Sequence, residues 1–195
     1  MSVVEKSFIT PQEYLARERA AAFRSEYYRG EMFAMSGASW EHALIKDNLA
    51  RILGNELAGG PCRAVTSDLR VKVDESGLYT YPDLLVVCGE PRFEDNVFDT
   101  LLNPRILIEV LSDSTEKYDR GEKFAQYRRI ESLQEYVMLS QTQPLAERFV
   151  RQPDGSWLMT AVPGLDQAFT FGTIAVTAFL AEIYAGVRFA ERPAR

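Results

Sequence analysis

The clearest pattern of apolar and polar positions runs from Trp40 to about Leu57 and predicts an amphipathic helix. Ser39 is suited to cap its N-terminus, and Gly59-Gly60-Pro61 ends the pattern. The only histidine of the sequence, His42, lies on the apolar face. That face consists of aliphatic residues at helical spacing: Ile45, Leu49, Ile52, Leu53 and Leu57.

A shorter helix and a hairpin precede this element. Thr10-Pro11-Gln12-Glu13 combines an N-cap threonine, a proline in the first turn and a glutamate three residues after the cap, so a helix is predicted from there to about Phe23. Residues 26–35 hold two β-like runs around Arg29-Gly30-Glu31, which predicts a β-hairpin.

Short apolar runs typical of strands follow the long helix. We predict strands at 63–73, with a kink near Ser67-Asp68, and at 78–88, 105–112 and 134–139. Proline cannot donate a hydrogen bond to a sheet, so Pro82 belongs at a strand start, an edge or a bulge.

Three further elements complete the prediction. A helix follows 105–112, with Asp113 as its cap, Glu116 three residues later, and Phe124, Tyr127 and Ile130 on its buried side. Pro153-Asp154-Gly155 predicts the turn of an antiparallel hairpin between 147–151 and 157–162. A short helix is predicted at 177–185.

This order of elements predicts a mixed α/β or α+β fold, with a central mixed sheet flanked by helices. At 195 residues the simplest organisation is one domain, 1–195. Its core would span about 39–140, preceded by an N-terminal helix and hairpin at 10–35. A C-terminal hairpin and short helix would follow at 145–188, and 191–195 would form a loose tail.

Composition and charge narrow the possible environments. The net charge of −6 and the pI near 5.0 argue against a surface that attracts nucleic acid everywhere, although a local basic patch is compatible with them. Cys62 and Cys88 show no metal-binding spacing, so we expect reduced thiols in a cytoplasmic protein. Neither a signal peptide at 1–6 nor a membrane-spanning run is expected.

The most informative residue is Glu109, which lies inside the apolar run 105–111. A buried carboxylate costs several kcal/mol unless it is compensated. Glu109 therefore needs a metal ion, a cation, a hydrogen-bond donor or a proton of its own. Asp83 interrupts the apolar run 81–87 in the same way.

Two carboxylates on neighbouring strands could hold one Mg²⁺ or Mn²⁺ ion, because hard divalent cations prefer oxygen ligands. Such an ion polarises a phosphoryl oxygen and generates a hydroxide nucleophile. The alternative is that one or both acids are solvated strand-end charges or partners of an arginine, and this alternative is stronger for Asp83 than for Glu109.

Pro82-Asp83, followed about 25 residues later by Ile108-Glu109-Val110, resembles the PD-(D/E)xK nuclease motif. More narrowly, most of the chain resembles the Uma-type family of putative restriction endonucleases. The resemblance rests on an ordered combination of short pieces: Arg29-Gly30-Glu31, Met35-Ser36-Gly37-Ala38, His42, Ser67-Asp68, Tyr81-Pro82-Asp83, Glu109-Val110-Leu111-Ser112, Ser114-Thr115, Asp119-Arg120, Lys123, Tyr127 and Glu135-Tyr136.

The resemblance implies a restriction-endonuclease-like core and Mg²⁺- or Mn²⁺-dependent hydrolysis of DNA phosphodiester bonds, with Asp83 and Glu109 as metal ligands. The superfamily places a lysine two residues after the glutamate, but Leu111 stands there. The family implies that Lys123, on the following helix, takes this role. Asp119, Lys123 and Tyr127 recur every four residues and share one helix face. The alternative is an Asp119–Lys123 surface pair with Tyr127 packed beside it.

Four further residues are secondary candidates. Glu31 would supply a third catalytic carboxylate, or it is an exposed glutamate of a hairpin turn. His42 is a hydrogen-bonded core residue or lies near the site. The side chain of Asp68 either hydrogen-bonds to the backbone at a bulge or contacts the residues that bind the metal without binding it itself. Tyr127 is a candidate for the same indirect role.

DNA is the expected partner through a local patch only, because acidic residues interleave with the basic ones. The basic residues are Arg63, Arg70, Lys72, Lys117, Arg120, Lys123, Arg128 and Arg129. A homodimer is expected for cutting two strands. The alternatives to an endonuclease are a nuclease fold that no longer cuts and serves as a binding module, and a metal-dependent hydrolase of another phosphoester.

Overall fold

The central sheet of the protein has six strands: β3 (Cys62–Thr66), β6 (Leu84–Cys88), β8 (Ile106–Leu111), β9 (Glu135–Ser140), β10 (Leu145–Arg151) and β11 (Trp157–Pro163). The computed structural model describes residues 8–74 and 76–189; the expectations for 1–6 and 191–195 fall outside them. The strands lie in the order β11-β10-β9-β8-β6-β3. Within this sheet β8 and β9 run parallel, and the other neighbours are antiparallel.

The two faces of β8 bury different partners. Every residue of β8 is buried. Ile106, Ile108 and Val110 join the core that contains helix α2 (Trp40–Glu56), whereas Leu107 and Leu111 join the opposite core. Glu109 shares the second face, because alternate residues of a strand point the same way. The predicted buried strand with one carboxylate is thus confirmed.

The second face is covered by one continuous helix built from three pieces. It begins with α3 (Glu116–Tyr118), widens into a π-helical turn at Asp119–Lys123, and continues as α4 (Phe124–Tyr127). Asp113 does not cap it: Asp113 lies in an exposed turn, and Thr115 precedes the helix without a side-chain cap. The prediction of the cap was wrong because Ser112 hydroxyl contacts to Ser114 and Thr115 organise this turn instead.

A second sheet of five strands, which the sequence analysis did not predict, lies in the order β2-β1-β5-β4-β7. Its rings pack against the first helix, where Tyr14, Tyr27 and Tyr79 lie 5.0–5.8 Å apart between centroids. Its elements are α1 (Pro11–Ala20), β1 (Ser25–Tyr28), β2 (Glu31–Ala34), β4 (Arg70–Val73), β5 (Leu78–Thr80) and β7 (Thr100–Leu101). The predicted capping box at Thr10 and the hairpin are confirmed, although α1 ends at Ala20.

Two segments that were predicted as single strands are each divided between the two sheets. The run 63–73 is divided into β3 and β4, and the run 78–88 is divided into β5 and β6, with each half in a different sheet. The predicted kink near Ser67-Asp68 is a complete break. At the second break Pro82 has no N–H to continue the pairing, which favours interruption there.

The C-terminal third extends the central sheet. The predicted hairpin is confirmed as β10 and β11, and β10 also pairs with β9. A small two-stranded sheet follows, β12 (Ala168–Phe171) and β13 (Val176–Phe179), and then α5 (Leu180–Ile183). The helix predicted at 177–185 was therefore half wrong: Val176 and Ala178 alternate inward like a strand, and they bury with Phe169 and Phe171. Among the described residues, none of the helices is long and apolar enough to cross a membrane.

The two cysteines were expected as reduced thiols, and this expectation is corrected. Cys62 and Cys88 stand directly opposite each other on β3 and β6, with Cα atoms 4.0 Å apart, and form a disulfide. The 26-residue separation in sequence hides this cross-strand neighbourhood, which exists only once the strands are in register.

Reduction of this disulfide is expected to lower the free energy of unfolding by about 3–4 kcal/mol, because the crosslink restricts the unfolded chain. The measurement is urea unfolding with and without a thiol reductant. The double variant Cys62→Ala/Cys88→Ala serves as the control, and its stability should not respond to reductant. Two titratable thiols in the untreated, denatured protein would contradict the pairing.

Candidate active site

A cleft of about 880 Å³ opens where the two sheets meet. Its walls come from the β1–β2 hairpin, the start of α2, the segments that pass between the sheets, the end of β8 and the helix after it. The lining includes Glu26, His42, Asp83, Glu109 and Lys123. The fold therefore brings residues from five distant parts of the sequence into one cavity.

Asp83 is fixed at the point where the chain enters the central sheet. Its Oδ2 accepts a hydrogen bond of 2.8 Å from the backbone N–H of Val110, in the neighbouring strand β8. The same oxygen lies 3.1 Å from Nε2 of His42, in the first turn of α2. Backbone and imidazole together hold this carboxylate in one orientation.

Glu109 reaches into the cleft from the next strand and is only 4% exposed. Its Oε1 lies 2.9 Å from Nζ of Lys123 and accepts a hydrogen bond of 2.8 Å from the hydroxyl of Tyr127. Its Oε2 faces the backbone N–H of Asp83 at a distance of 3.4 Å. The compensation that the buried carboxylate needed is thus a lysine and a tyrosine from the covering helix.

Lys123 is buried among three carboxylates. Its Nζ lies 2.9 Å from Glu109, 3.2 Å from Glu26 and 3.5 Å from Asp119. The predicted helix face with Asp119, Lys123 and Tyr127 is therefore present and points into the site. It includes the π-helical turn, a local widening that is frequent at functional sites.

Burial and the surrounding charges shift the pKa values in this cluster. Burial raises the pKa of Glu109 to about 8; Lys123 opposes this rise, while Asp119 and Asp83 add to it. Burial alone would lower the pKa of Lys123, but Glu109, Tyr127, Glu26 and Asp119 raise it well above its usual value. Lys123 therefore stays protonated at neutral pH, and a proton on Glu109 is stabilised.

One carboxylate of the site was not predicted. Glu26 lies in β1, and its Oε1 contacts both Lys123 and the hydroxyl of Thr80. The hairpin glutamate predicted as a third carboxylate was Glu31, which does not belong to the residues that line the cleft. Both glutamates lie on the same face of the hairpin, because Tyr28 pairs with Glu31 and is two residues from Glu26. Of the two, Glu26 lines the cleft and forms an ion pair with Lys123.

The other candidates lie at different distances from the centre. His42 is in the site, and its buried Nδ1 makes no hydrogen bond within the described part of the chain. Asp68 pairs with Arg24 in an exposed position and makes no direct contact with Asp83 or Glu109. Leu111 is buried in the apolar core and does not reach the cleft.

The donor set fits a hard divalent cation. In residues 8–74 and 76–189 no three histidine, cysteine or acidic side chains are grouped so that they could hold a metal ion. Mg²⁺ is commonly held by one or two carboxylates and several waters, and the neighbouring Asp83 and Glu109, in an open cleft, suit that pattern.

Comparison with known proteins adds independent findings. The model of the Uma2 family, described as "Putative restriction endonuclease", matches residues 11–172. Two uncharacterised proteins of Synechocystis sp. are similar: sll1609 is 36% identical over 171 residues, covering 88% of this chain and 97% of its own, and slr1290 is 34% identical over 181 residues, covering 93% and 94%.

A solved structure shares the fold. The crystal structure of a putative nuclease belonging to DUF820, from Anabaena variabilis, matches with a TM-score of 0.73 and 16% sequence identity. The match covers 90% of this chain and 97% of that one. The predicted mixed α+β fold of a nuclease type is thereby confirmed.

The titration of Glu109 predicts how stability depends on pH without metal. Its folded pKa of about 8 lies above the ordinary 4.5, so between these values the folded state holds the extra proton. The free energy of unfolding should therefore fall as pH rises from 5 to 8, by at most about 1.4 kcal/mol per unit from this group. Urea unfolding in EDTA should show that the free energy of unfolding falls less between pH 5 and 8 in Glu109→Gln than in the unmodified protein.

The control is Glu56→Gln, at the exposed end of α2, which should keep the pH dependence of the unmodified protein. If the free energy of unfolding depends on pH in the same way in the unmodified protein and in Glu109→Gln, Glu109 does not titrate in this range.

Proposed function

Because the chain belongs to the Uma2 family of putative restriction endonucleases, we propose that it is a metal-dependent endonuclease that hydrolyses phosphodiester bonds of DNA. A nuclease-type function is supported by the family and by the fold shared with the putative nuclease from Anabaena variabilis. Metal dependence and DNA as the substrate are supported by the chemistry of the cleft.

The observation that carries the proposal is the contact of 2.9 Å between Lys123 and Glu109. A nuclease of this type needs a cation beside the metal-binding glutamate, and Leu111 cannot provide one. Lys123 brings an ammonium group to the same carboxylate from the covering helix. This contact weakens one of the two grounds for a fold that no longer cuts, the leucine at position 111; the other ground, the acidic pI near 5.0, is unchanged.

Asp83 and Glu109 are the residues that would hold Mg²⁺ or Mn²⁺. Bound there, the ion would polarise a phosphoryl oxygen and lower the pKa of a water molecule. Lys123, protonated, orients the attacking water or stabilises the negative charge that develops on the phosphate. His42 and the N–H of Val110 hold Asp83, and Tyr127 holds Glu109.

Glu26 and Asp119 have a different task. Both lie within 3.5 Å of Nζ of Lys123, and neither makes a direct hydrogen bond to Asp83 or Glu109 in the described residues. They keep the ammonium group charged and fix its position between the N-terminal hairpin and the helix. We therefore assign Glu26 as a positioning residue, in the place that the sequence analysis gave to Glu31.

Purified protein is expected to cleave DNA in Mg²⁺ or Mn²⁺ and not in EDTA. Asp83→Ala and Glu109→Ala should each lower the rate by at least roughly 100-fold, and Lys123→Met by roughly 100- to 1,000-fold, since each removes a group that acts on the developing charge. The measurement is a time course on a fluorescently labelled DNA substrate.

Arg51→Met, at an exposed position of α2 outside the cleft lining, is the control and should keep the full rate. Equal residual activity in Asp83→Ala, Glu109→Ala and the unmodified protein would overturn the proposal. No cleavage by the folded, unmodified protein under any metal condition would favour the non-cutting alternative.

The pair Glu26→Gln and Glu31→Gln separates the two hairpin glutamates. Glu26→Gln should lower kcat by roughly 10-fold with little change in KM, because it loosens the ammonium group without removing it. Glu31→Gln should have the smaller effect, as Glu31 is not part of the cleft lining. A larger loss in Glu31→Gln than in Glu26→Gln would contradict the assignment.

A further inference from the structure

The N-terminal hairpin presents two chemically different faces. On one face Tyr27 packs against Tyr14 and Tyr79 in a small aromatic core. On the other face Glu26 and Phe33 are directly opposite each other, and both line the cleft. Phe33 is thus placed one strand away from the glutamate that contacts Lys123.

Large apolar side chains stand exposed along this wall. Phe23 is 69% exposed, Phe33 49% and Met35 38%, and all three line the cleft. Single exposed apolar residues are ordinary on a protein surface, but a group of them beside a reaction centre indicates a binding surface. Because these three side chains line the cleft, they are placed to contact a ligand that binds there.

The positive charges of the cleft are few. Its cationic lining residues are Arg24, Lys46 and Lys123. Arg24 is paired with Asp68, and Lys123 is surrounded by carboxylates, which leaves Lys46, whose Nζ lies 3.4 Å from the hydroxyl of Ser67. A protein that neutralises roughly 6–10 phosphates of duplex DNA needs a comparable number of lysine or arginine side chains. The cleft lining supplies three, so this binding mode would need further cations from outside the cleft.

Another part of the lining, residues 112–115, carries three hydroxyl groups and the carboxylate of Asp113. Ser112, Ser114 and Thr115 form a hydroxyl cluster with oxygen separations of 2.9–3.0 Å. Hydroxyl groups of this kind commonly bind phosphate oxygens. The cleft therefore offers apolar rings on one side and phosphate-binding hydroxyls on the other, with the carboxylates and Lys123 between them.

We propose that this cleft binds unpaired nucleotides, so that the substrate of the proposed nuclease is a single-stranded segment of DNA. Phe33 and Phe23 stack on exposed bases, and the hydroxyl cluster and Lys46 contact the backbone of the same strand. Aromatic stacking supplies affinity independently of sequence, in addition to the contacts with the backbone. In a duplex the bases are already stacked on each other, which leaves these rings without a partner.

The experiment compares binding of one labelled oligonucleotide, single-stranded or annealed to its complement, in Ca²⁺ without cleavage. Single-stranded DNA is expected to bind at least 10-fold more tightly than the duplex. Phe33→Ala and Phe23→Ala should each weaken single-strand binding by roughly 5- to 100-fold. Phe33→Tyr should bind the single strand about as tightly as the unmodified protein, because tyrosine keeps the aromatic ring. A 2-aminopurine base in the strand reports stacking directly through its fluorescence.

Phe179→Ala is the matched control, as Phe179 is similarly exposed but lies outside the cleft lining. Thermal melting checks that every variant is folded. Tighter binding of the duplex, or losses in Phe23→Ala and Phe33→Ala no larger than in Phe179→Ala, would overturn the proposal.

The proposal rests on the proposed function, but the two fail separately. Single-strand binding that depends on Phe33, without cleavage of any DNA, would refute the nuclease activity and leave this binding site intact. Cleavage of blunt duplex DNA at the same rate as single strands would refute the binding proposal alone.

Discussion

The contact between Glu109 and Lys123 sets the arrangement of the rest of the site. A carboxylate in the middle strand of a sheet would destabilise the fold if it stood alone, since the effective cost of burying a charge is several kcal/mol. Lys123 and Tyr127 compensate it from the covering helix. The lysine in turn needs its own anions, which Glu26 and Asp119 provide. A chain of compensating charges thus links the central sheet, the helix and the N-terminal hairpin.

The passage of the chain between two sheets gives this charged cluster access to solvent. Both breaks, near Ser67 and at Pro82, lie at the cleft, and Asp83 immediately follows the second break. A single continuous strand at 78–88 would have placed Asp83 within a fully paired ladder. Because the strand is interrupted, its carboxylate bonds a backbone N–H of β8 and a histidine of α2 while remaining partly accessible.

Several helices and strands, and the importance of Glu109, could be predicted from the amino-acid sequence. Periodicity predicted α2 and β8, and the cost of burying Glu109 pointed to the candidate cleft, because both effects are local in sequence. The division into two sheets was missed, since an apolar run looks the same whether it pairs with one sheet or two. Glu26 and the Cys62–Cys88 pairing were missed because both depend on register, which few local signals encode.

The π-helical turn at Asp119–Lys123 has a consequence for the length of this helix. A π-helical turn holds one residue more than a regular α-helical turn. Deletion of one residue there would restore a regular α-helix, in which Asp119 and Tyr127, then seven residues apart, differ by only about 20° around the helix axis. Both side chains could still face β8. Deletion of a residue from a regular α-helical part would instead rotate all that follows by roughly 100°, so the helix can lose a residue at this turn but not beside it.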